Sequence, residues 1–469
     1  MILKRKSIML GKILSKIFKS LSWLDRHWLY CLISGLIAVS LVFAQTYGLK
    51  SSALSSQVIA TAEPELVDLG QFSDLVANLE SKWESTYEGY FDRDFPRQGS
   101  VQQIAERLQE VQEQTNISPA VIWVMPTDDF LELILVTPEK QFVIKKIPGA
   151  NRARLTKRIE ELGVAMSDRT SLKYYPPARL IYDWIFKPLD PYLAAENIDT
   201  LLLCTGPKLR SLPFAALHDG DKFVAEKYNL ALIPAFTLTD TSYQAPVERK
   251  VLAMGTSKFV DLPALPGVEI ELNTIVPKLW KGRKITDQDF TVANLTDTHQ
   301  REGFEIIHIA SHSEFNPGSP EDSFIQFSDR RLSLAQINEL DLKLPPVDLL
   351  VLSACQTALG DEDAEYGFAG LAMQAGVKSA LASLWLIDDV GTVLLMGDFY
   401  QQLKSTAIKS AALRQAQVNL LQKKIFVKDS QIKGLDIDVD LADITSEAQI
   451  QDFSHPYYWA GFTLIGNPW

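Results

Sequence analysis

Glu305-Ile306-Ile307-His308-Ile309-Ala310 runs directly into Ser311-His312-Ser313, and Asp348-Leu349-Leu350-Val351-Leu352-Ser353-Ala354 runs into Cys355-Gln356-Thr357. Each is a short unbroken apolar run, the pattern of a strand buried on both faces rather than one with a wet side. Similar runs occupy Thr200 to Cys204, Val251 to Gly255, Ser379 to Leu386 and Phe462 to Ile465. Helical periodicity fills Ala364 to Ala375, Thr392 to Lys404 and Ile408 to Lys424. Buried strands alternating with helices predict an α/β fold, a largely parallel sheet flanked by helices. Asp348-Leu-Leu-Val-Leu also repeats, faintly, Asp199-Thr-Leu-Leu-Leu. That echo is either one strand from each half of a duplicated unit or the coincidence that buried strands produce.

Upstream of this region the pattern is mixed. Phe72, Leu75, Val76, Leu79, Trp83 and Tyr87 recur at helical spacing, and Val101, Ile104, Leu108 and Val111 repeat it. Val121 to Met125, Leu131 to Thr137 and Gln141 to Ile147 read as strands separated by turn residues, and a charged helical stretch follows from Asn151 to Gly163. Residues 65–97 are therefore a helical lead-in, and 45–64, rich in Ser, Ala and Gln, a linker.

The chain of 469 residues is 46% hydrophobic with 3 Cys, which excludes collagen-like, disulfide-scaffold and wholly disordered classes. Its net charge of −12 argues against a general nucleic-acid binder, which needs a basic face to displace counterions. The bases are concentrated in residues 1–27, ahead of the apolar run Trp28 to Ala44, so the remainder is more acidic than the whole. Residues 28–44 are near the lower length limit for crossing hydrocarbon. They read as a retained anchor with its basic end in the cytoplasm, as a signal cleaved after Ala44, or as a buried helix. The first two place the acidic bulk outside the cytoplasm, membrane-anchored or exported. Cys31 lies within this run, leaving Cys204 and Cys355 for the globular part, where no disulfide between them is expected.

In open parallel sheets reactive groups collect beyond the carboxyl ends of the strands. His312 and Cys355 fall at two such ends, separated by enough chain for a helical crossover between neighbouring parallel strands. An imidazole within reach of the thiol favours the thiolate and can later protonate a leaving amine. Backbone N–H groups at Ser313 and Cys355 are the expected oxyanion donors. The bland alternatives are a small buried cysteine and a solvated loop histidine. His308, inside its run, reads as structural, and zinc binding by His308, His312, Cys355 and His455 lacks any ligand spacing to support it. The chemistry expected of His312 and Cys355 needs no cofactor and no metal.

His308-Ile-Ala-Ser-His312-Ser-Glu-Phe315, Leu352-Ser-Ala-Cys355-Gln-Thr-Ala, Ala375-Gly-Val-Lys-Ser-Ala-Leu-Ala-Ser-Leu-Trp385 and His455-Pro-Tyr-Tyr-Trp459-Ala-Gly-Phe-Thr-Leu-Ile-Gly466 resemble the CHAT domain. That family is caspase-like and related to separase. Leu209-Arg-Ser-Leu-Pro-Phe-Ala-Ala-Leu-His218 and Leu265-Pro-Gly-Val-Glu-Ile-Glu271 resemble its front-half signatures. The resemblance implies a non-catalytic front half over 98–245 and a catalytic half over 246–469. It also implies a cysteine endopeptidase acting on a protein or peptide, with His312 as base and Cys355 as nucleophile. The alternative is a catalytically weak module used for binding or signalling at the membrane. Caspase-like enzymes usually carry Gly after the catalytic His, where this chain has Ser313, and the tetratricopeptide repeats that often accompany CHAT domains are not visible.

Asp388 and Asp389 follow the strand that ends near Trp385, while Asp361, Glu362, Asp363 and Glu365 follow Cys355 and read as a solvated loop. In separase a similar Trp-containing strand end precedes an acidic residue, and that enzyme cleaves after Arg. Both lines predict cleavage after Arg or Lys, with Asp389 rather than Asp388 as the main contact. The competing role for these acids is to cap the helix that begins near Thr392.

Overall fold

Phe72, Val76, Trp83 and Tyr87 are all buried on one side of helix α1 (Leu69–Phe91), and Ile104, Leu108 and Val111 do the same for α2 (Ile104–Thr115). The apolar spacing thus gives the lead-in helix and the first helix after it. These assignments come from a computed structural model that describes residues 69–245, 249–406, 408–445 and 452–469, all within the unit Thr61–Trp469.

The continuous apolar runs build a 13-stranded sheet. In the front half β1 (Pro119–Pro126), β2 (Leu131–Val136) and β3 (Phe142–Ile147) form an antiparallel meander, and β4 (Thr200–Thr205) and β5 (Asn229–Ile233) add in parallel to β1. In the second half β6 (Val251–Gly255) and β7 (Gly282–Thr286) lie parallel beside β8 (Ile306–Phe315). The short β9 (Phe324–Gln326) and β10 (Arg331–Ser333) turn back on its end. Across β8 the sheet continues in parallel with β11 (Leu349–Thr357) and β12 (Ser379–Ser383). A small separate hairpin, β13 (Phe426–Lys428) and β14 (Gln431–Lys433), precedes the last strand, β15 (Phe462–Gly466). This strand is antiparallel to β12 and meets β5 through the single pair Ile465 and Leu232, so it is the seam between the halves. Every residue of β4, β6 and β12 is buried, as a sheet covered by helices requires.

The echoed strands occupy corresponding places. β4 stands between parallel β1 and β5, and β11 between parallel β8 and β12. Three helices matter for the site: α3 (Gly267–Asn273), α4 (Asp389–Thr406) and α5 (Lys409–Leu421). The expected helix over Ala364 to Ala375 is broken at Gly370 into Glu362–Ala369 and Leu371–Ala375. A side chain there would collide with Phe91, whose ring atoms lie 2.5 Å from a built Cβ.

One expectation is corrected. Membrane anchoring, with the catalytic part outside the cytoplasm, finds no support, because among the described residues no helix is long and apolar enough to cross a membrane. Residues 28–44, on which that expectation rested, lie outside the described residues. Cys204 and Cys355 are both free and buried, in β4 and β11.

Candidate active site

β8 and β11 are neighbours and parallel, which brings His312 and Cys355 onto adjacent strands. Neither residue lies in a loop beyond its strand, as the sequence suggested; the strands continue to Phe315 and Thr357. The register is Leu352 with Ile309, then Ala354 with His312 and Cys355 with Ser313. Between the first two pairs β8 spends two residues, Ala310 and Ser311, where β11 spends Ser353 alone. This β-bulge slides His312 one position away from Cys355, which it would otherwise face directly. Register partners share a side of the sheet and successive residues alternate, so the imidazole and the thiol leave opposite sides of the ladder.

The contacts of each group agree with that geometry. His312 Nε2 lies 2.8 Å from the Pro263 carbonyl and its ring packs against Phe259 at 4.7 Å. A carbonyl only accepts, so Nε2 carries the proton and Nδ1 is the nitrogen left to act as a base. Cys355 is fully buried, with Sγ 3.3 Å from the Leu352 carbonyl. Burial pushes its thiol up to about 12, against smaller opposing effects from the Ser383 backbone and the Ser313 hydroxyl. The Ser313 hydroxyl, buried beside it, has no well-formed hydrogen bond. In this arrangement Cys355 is a neutral thiol and not a thiolate–imidazolium partner.

His308 lies inside β8, buried against two helices through contacts the sequence did not reveal. Its Nδ1 is 3.1 Å from Tyr400 Oη on α4, and its Nε2 is 3.1 Å from Glu271 Oε1 on α3. Ser353, two residues before Cys355, donates to Glu271 Oε2 at 3.2 Å. Burial and the neighbouring Glu271 push the Tyr400 hydroxyl well above its ordinary value, so it keeps its proton and donates to Nδ1. Glu271 thus holds the nucleophile's strand through Ser353 and only approaches the histidine's strand, since its Oε1 and His308 Nε2, although close, are not aligned for a hydrogen bond. Its only sequence signal was its place at the end of the Leu265–Glu271 motif.

The acidic pair divides its roles. Asp388 Oδ1 accepts from Gly391 N at 2.9 Å, capping α4, and Oδ2 takes Arg169 Nη1 at 2.8 Å. The Arg169 guanidinium lies over Tyr457 at 4.6 Å and Tyr458 at 5.7 Å. Asp389, the first residue of α4, accepts from the Gly267 amide; burial pushes its carboxyl up, and His312 is among the charges that pull it down. Only glycine fits at 267, since a built Cβ would lie 2.7 Å from Asp389 Cβ. Both acids, with Asp452, line an open cleft of about 520 Å³ whose one base among the described residues is Arg169. The capping alternative therefore describes Asp388 well. Asp388→Ala is expected to lower stability by about 1 kcal/mol, the usual loss for an N-cap, read as a drop in the thermal unfolding midpoint.

Residues 175–467, well over half of the chain, match the model of the CHAT domain. The chain belongs to the CHAT domain family. The match begins in the front half and runs through β15, and it contains His312, Cys355, Asp388 and Asp389. The CHAT domain here has an α/β architecture, a mostly parallel sheet flanked by helices. Among curated relatives, Tetratricopeptide repeat protein 28 of Mus musculus is 23% identical over 357 residues, and its Homo sapiens counterpart 22% over 357. Each alignment takes in 62% of this chain but 13% of the relative's length. Two crystal structures of the Saccharomyces cerevisiae separase–securin complex align with 78% of this chain and 31% of theirs. They are 12% and 10% identical, with TM-scores of 0.43 and 0.46.

Proposed function

We propose that this CHAT module is a cysteine endopeptidase that cleaves proteins or peptides after Arg or Lys. The observation that carries the reading is the pairing of β8 with β11, which brings His312 and Cys355 within one register position of each other. Cys355 attacks the scissile carbonyl, His312 takes and returns the proton through Nδ1, and the N–H groups of Ser313 and Cys355 receive the oxyanion. Asp389, with Asp388, meets the basic side chain in the acidic cleft. Residues 98–245 act as the non-catalytic half and 246–469 as the catalytic half.

The arrangement described above is then a resting one. The thiol must leave the buried side of the ladder and Nδ1 must turn towards it before chemistry begins. A peptide bound across the ends of β8 and β11 supplies the driving force if it binds the turned-out state better.

A second reading has an observation in its favour. A fully buried thiol with no hydrogen bond to His312 is what a binding module without catalysis would retain, and the relatives' name, with its tetratricopeptide repeats, suits a scaffold for protein partners. An arginyl chloromethyl ketone probe separates the two. Stoichiometric labelling of the full chain at Cys355, abolished in His312→Ala, is expected of the peptidase. Sluggish labelling indifferent to His312 belongs to the scaffold.

A further inference from the structure

The acidic cleft beside Asp388 and Asp389 already holds a basic side chain, and it is the chain's own. Arg169 comes from the front half, in the short link between helices Arg152–Ser167 and Tyr175–Ile185. Asp168 to Ser171 form a tight turn, closed by the Ser171 amide on the Asp168 carbonyl at 3.0 Å, and Asp168 Oδ1 accepts from the Thr170 amide and hydroxyl. His455 Nε2 donates to the Ser171 carbonyl at 3.1 Å, while its Nδ1 accepts from Tyr457 N at 3.2 Å. The turn is thereby fastened to the segment that carries Tyr457 and Tyr458.

From that turn the Arg169 guanidinium reaches the second half, pairing with Asp388 and lying over the two tyrosine rings. A carboxylate beside aromatic faces suits a planar cation, and Val390, Ile444 and Phe453 add an apolar wall for the methylenes of its stem. The hold is nevertheless loose. The Arg169 side chain is 45% exposed and that of Asp388 33%, and ion pairs this wet contribute little.

The other acids of the cleft are differently placed. Asp452 meets Lys423 Nζ at 2.8 Å, whereas Asp389 accepts from the Gly267 amide and has no ion pair with a base among the described residues. An incoming guanidinium, with its five N–H groups, has Asp389 to gain as well as Asp388, while Arg169 pairs with Asp388 alone. A second cation cannot share Asp388 with Arg169 without like-charge repulsion, so one of the two must leave.

We propose that Arg169 is an intramolecular stand-in for the substrate's basic side chain, occupying the cleft at rest and giving way when an arginine or lysine of the substrate enters. This rests on the peptidase reading for the identity of the incoming group, and it gives the front half a part in guarding the specificity cleft of the second. Only molecules with Arg169 withdrawn bind, so the apparent affinity is lowered by the withdrawn fraction and recovers when the stand-in is removed.

Two measurements on the full chain test it: calorimetric titration with benzamidine, an amidinium that mimics the arginine head group, and cleavage of a peptide aminocoumarin ending in Arg, with KM and kcat separated. Arg169→Gln is expected to tighten benzamidine binding and to lower KM, each by about fivefold or more, with kcat changed less than about twofold. Tyr457 holds Arg169 from outside the lining of the cleft. Tyr457→Leu keeps the charge and loosens the stand-in, so it should move both values the same way by a smaller factor, which loss of a repelling charge alone would not do. Asp389→Asn should weaken benzamidine binding, locating it in the cleft. Tighter benzamidine binding by Arg169→Gln in chains that cleave nothing would keep the stand-in and remove the peptidase reading. Benzamidine bound equally or more weakly by Arg169→Gln, or unaffected by Tyr457→Leu, overturns the stand-in and leaves cleavage after Arg or Lys intact. Cleavage after Asp that is lost in Arg169→Gln overturns both.

Discussion

Replacing Cys355 with alanine is expected to lower cleavage of an arginine-containing peptide by the full chain at least about 1000-fold, and His312→Ala should do nearly as much. The double variant should be no worse than the poorer single one, because nucleophile and base act as a unit. The buried thiol adds a sharper expectation. With its pKa pushed up to about 12, against about 8.5 for a free cysteine, the thiolate fraction at neutral pH falls by roughly three orders of magnitude. Iodoacetamide, which does not fill the acidic cleft, should therefore alkylate Cys355 roughly 1000-fold more slowly than it does a free thiol. The arginyl probe, which fills that cleft and favours the turned-out state, should not show this handicap. Peptide-mapping mass spectrometry over time measures both rates. Equal and slow reaction with the two reagents would remove the peptidase reading, and fast alkylation by iodoacetamide would remove the resting arrangement.

The sheet was legible because its strands are apolar on both faces and its helices keep their spacing. Thr200 to Cys204, Val251 to Gly255 and Phe462 to Ile465 lie within a residue of the observed strands. Asn229–Ile233 and Gly282–Thr286 were not seen; the second is a half-exposed edge strand, Gly-Arg-Lys-Ile-Thr, whose polar residues hide it. The dyad was legible as residues and not as geometry. One extra residue in β8 sets which side of the ladder His312 and Cys355 leave, and no composition or period encodes a bulge. Arg169 and Asp388 are far apart in the chain, as are Tyr87 and Arg210, so pairing and burial at those sites are properties of the assembled fold. Arg210 stood in plain view within the Leu209–His218 motif, where a charged residue beside apolar neighbours gives no sign that it is buried.

Asp348→Asn is expected to cost about 3 to 5 kcal/mol of folding stability near neutral pH, the usual range for breaking a buried ion pair by removing one partner. Asp348 sits at the entrance to β11, where its carboxylate meets Lys409 Nζ at 2.7 Å and Arg249 Nη2 at 3.0 Å. Burial alone would push this carboxyl up, but Lys409 and Arg249 hold it below its ordinary value. Lys409 is fully buried at the start of α5, and burial lowers its ammonium to about 8 although Asp348 opposes the shift. The signs of pH dependence follow from linkage. The depressed Asp348 value makes its contribution complete above the ordinary carboxylate range and lost as pH falls through the folded value. The variant should therefore match the wild type only in acid. Without Asp348 the Lys409 value drops further below about 8, so the variant gains stability as pH rises towards 8 through a range where the wild-type lysine stays charged in both states. The deficit is then larger at pH 6 than at pH 8.5, read as the shift in urea midpoint at each pH. Adding Lys409→Met to Asp348→Asn should recover part of the loss, because it removes an ammonium that has lost its main counter-charge. A deficit that is equal at both pH values, or a double variant weaker than the single one, would mean that Asp348 holds β11 through its backbone and not through its charge.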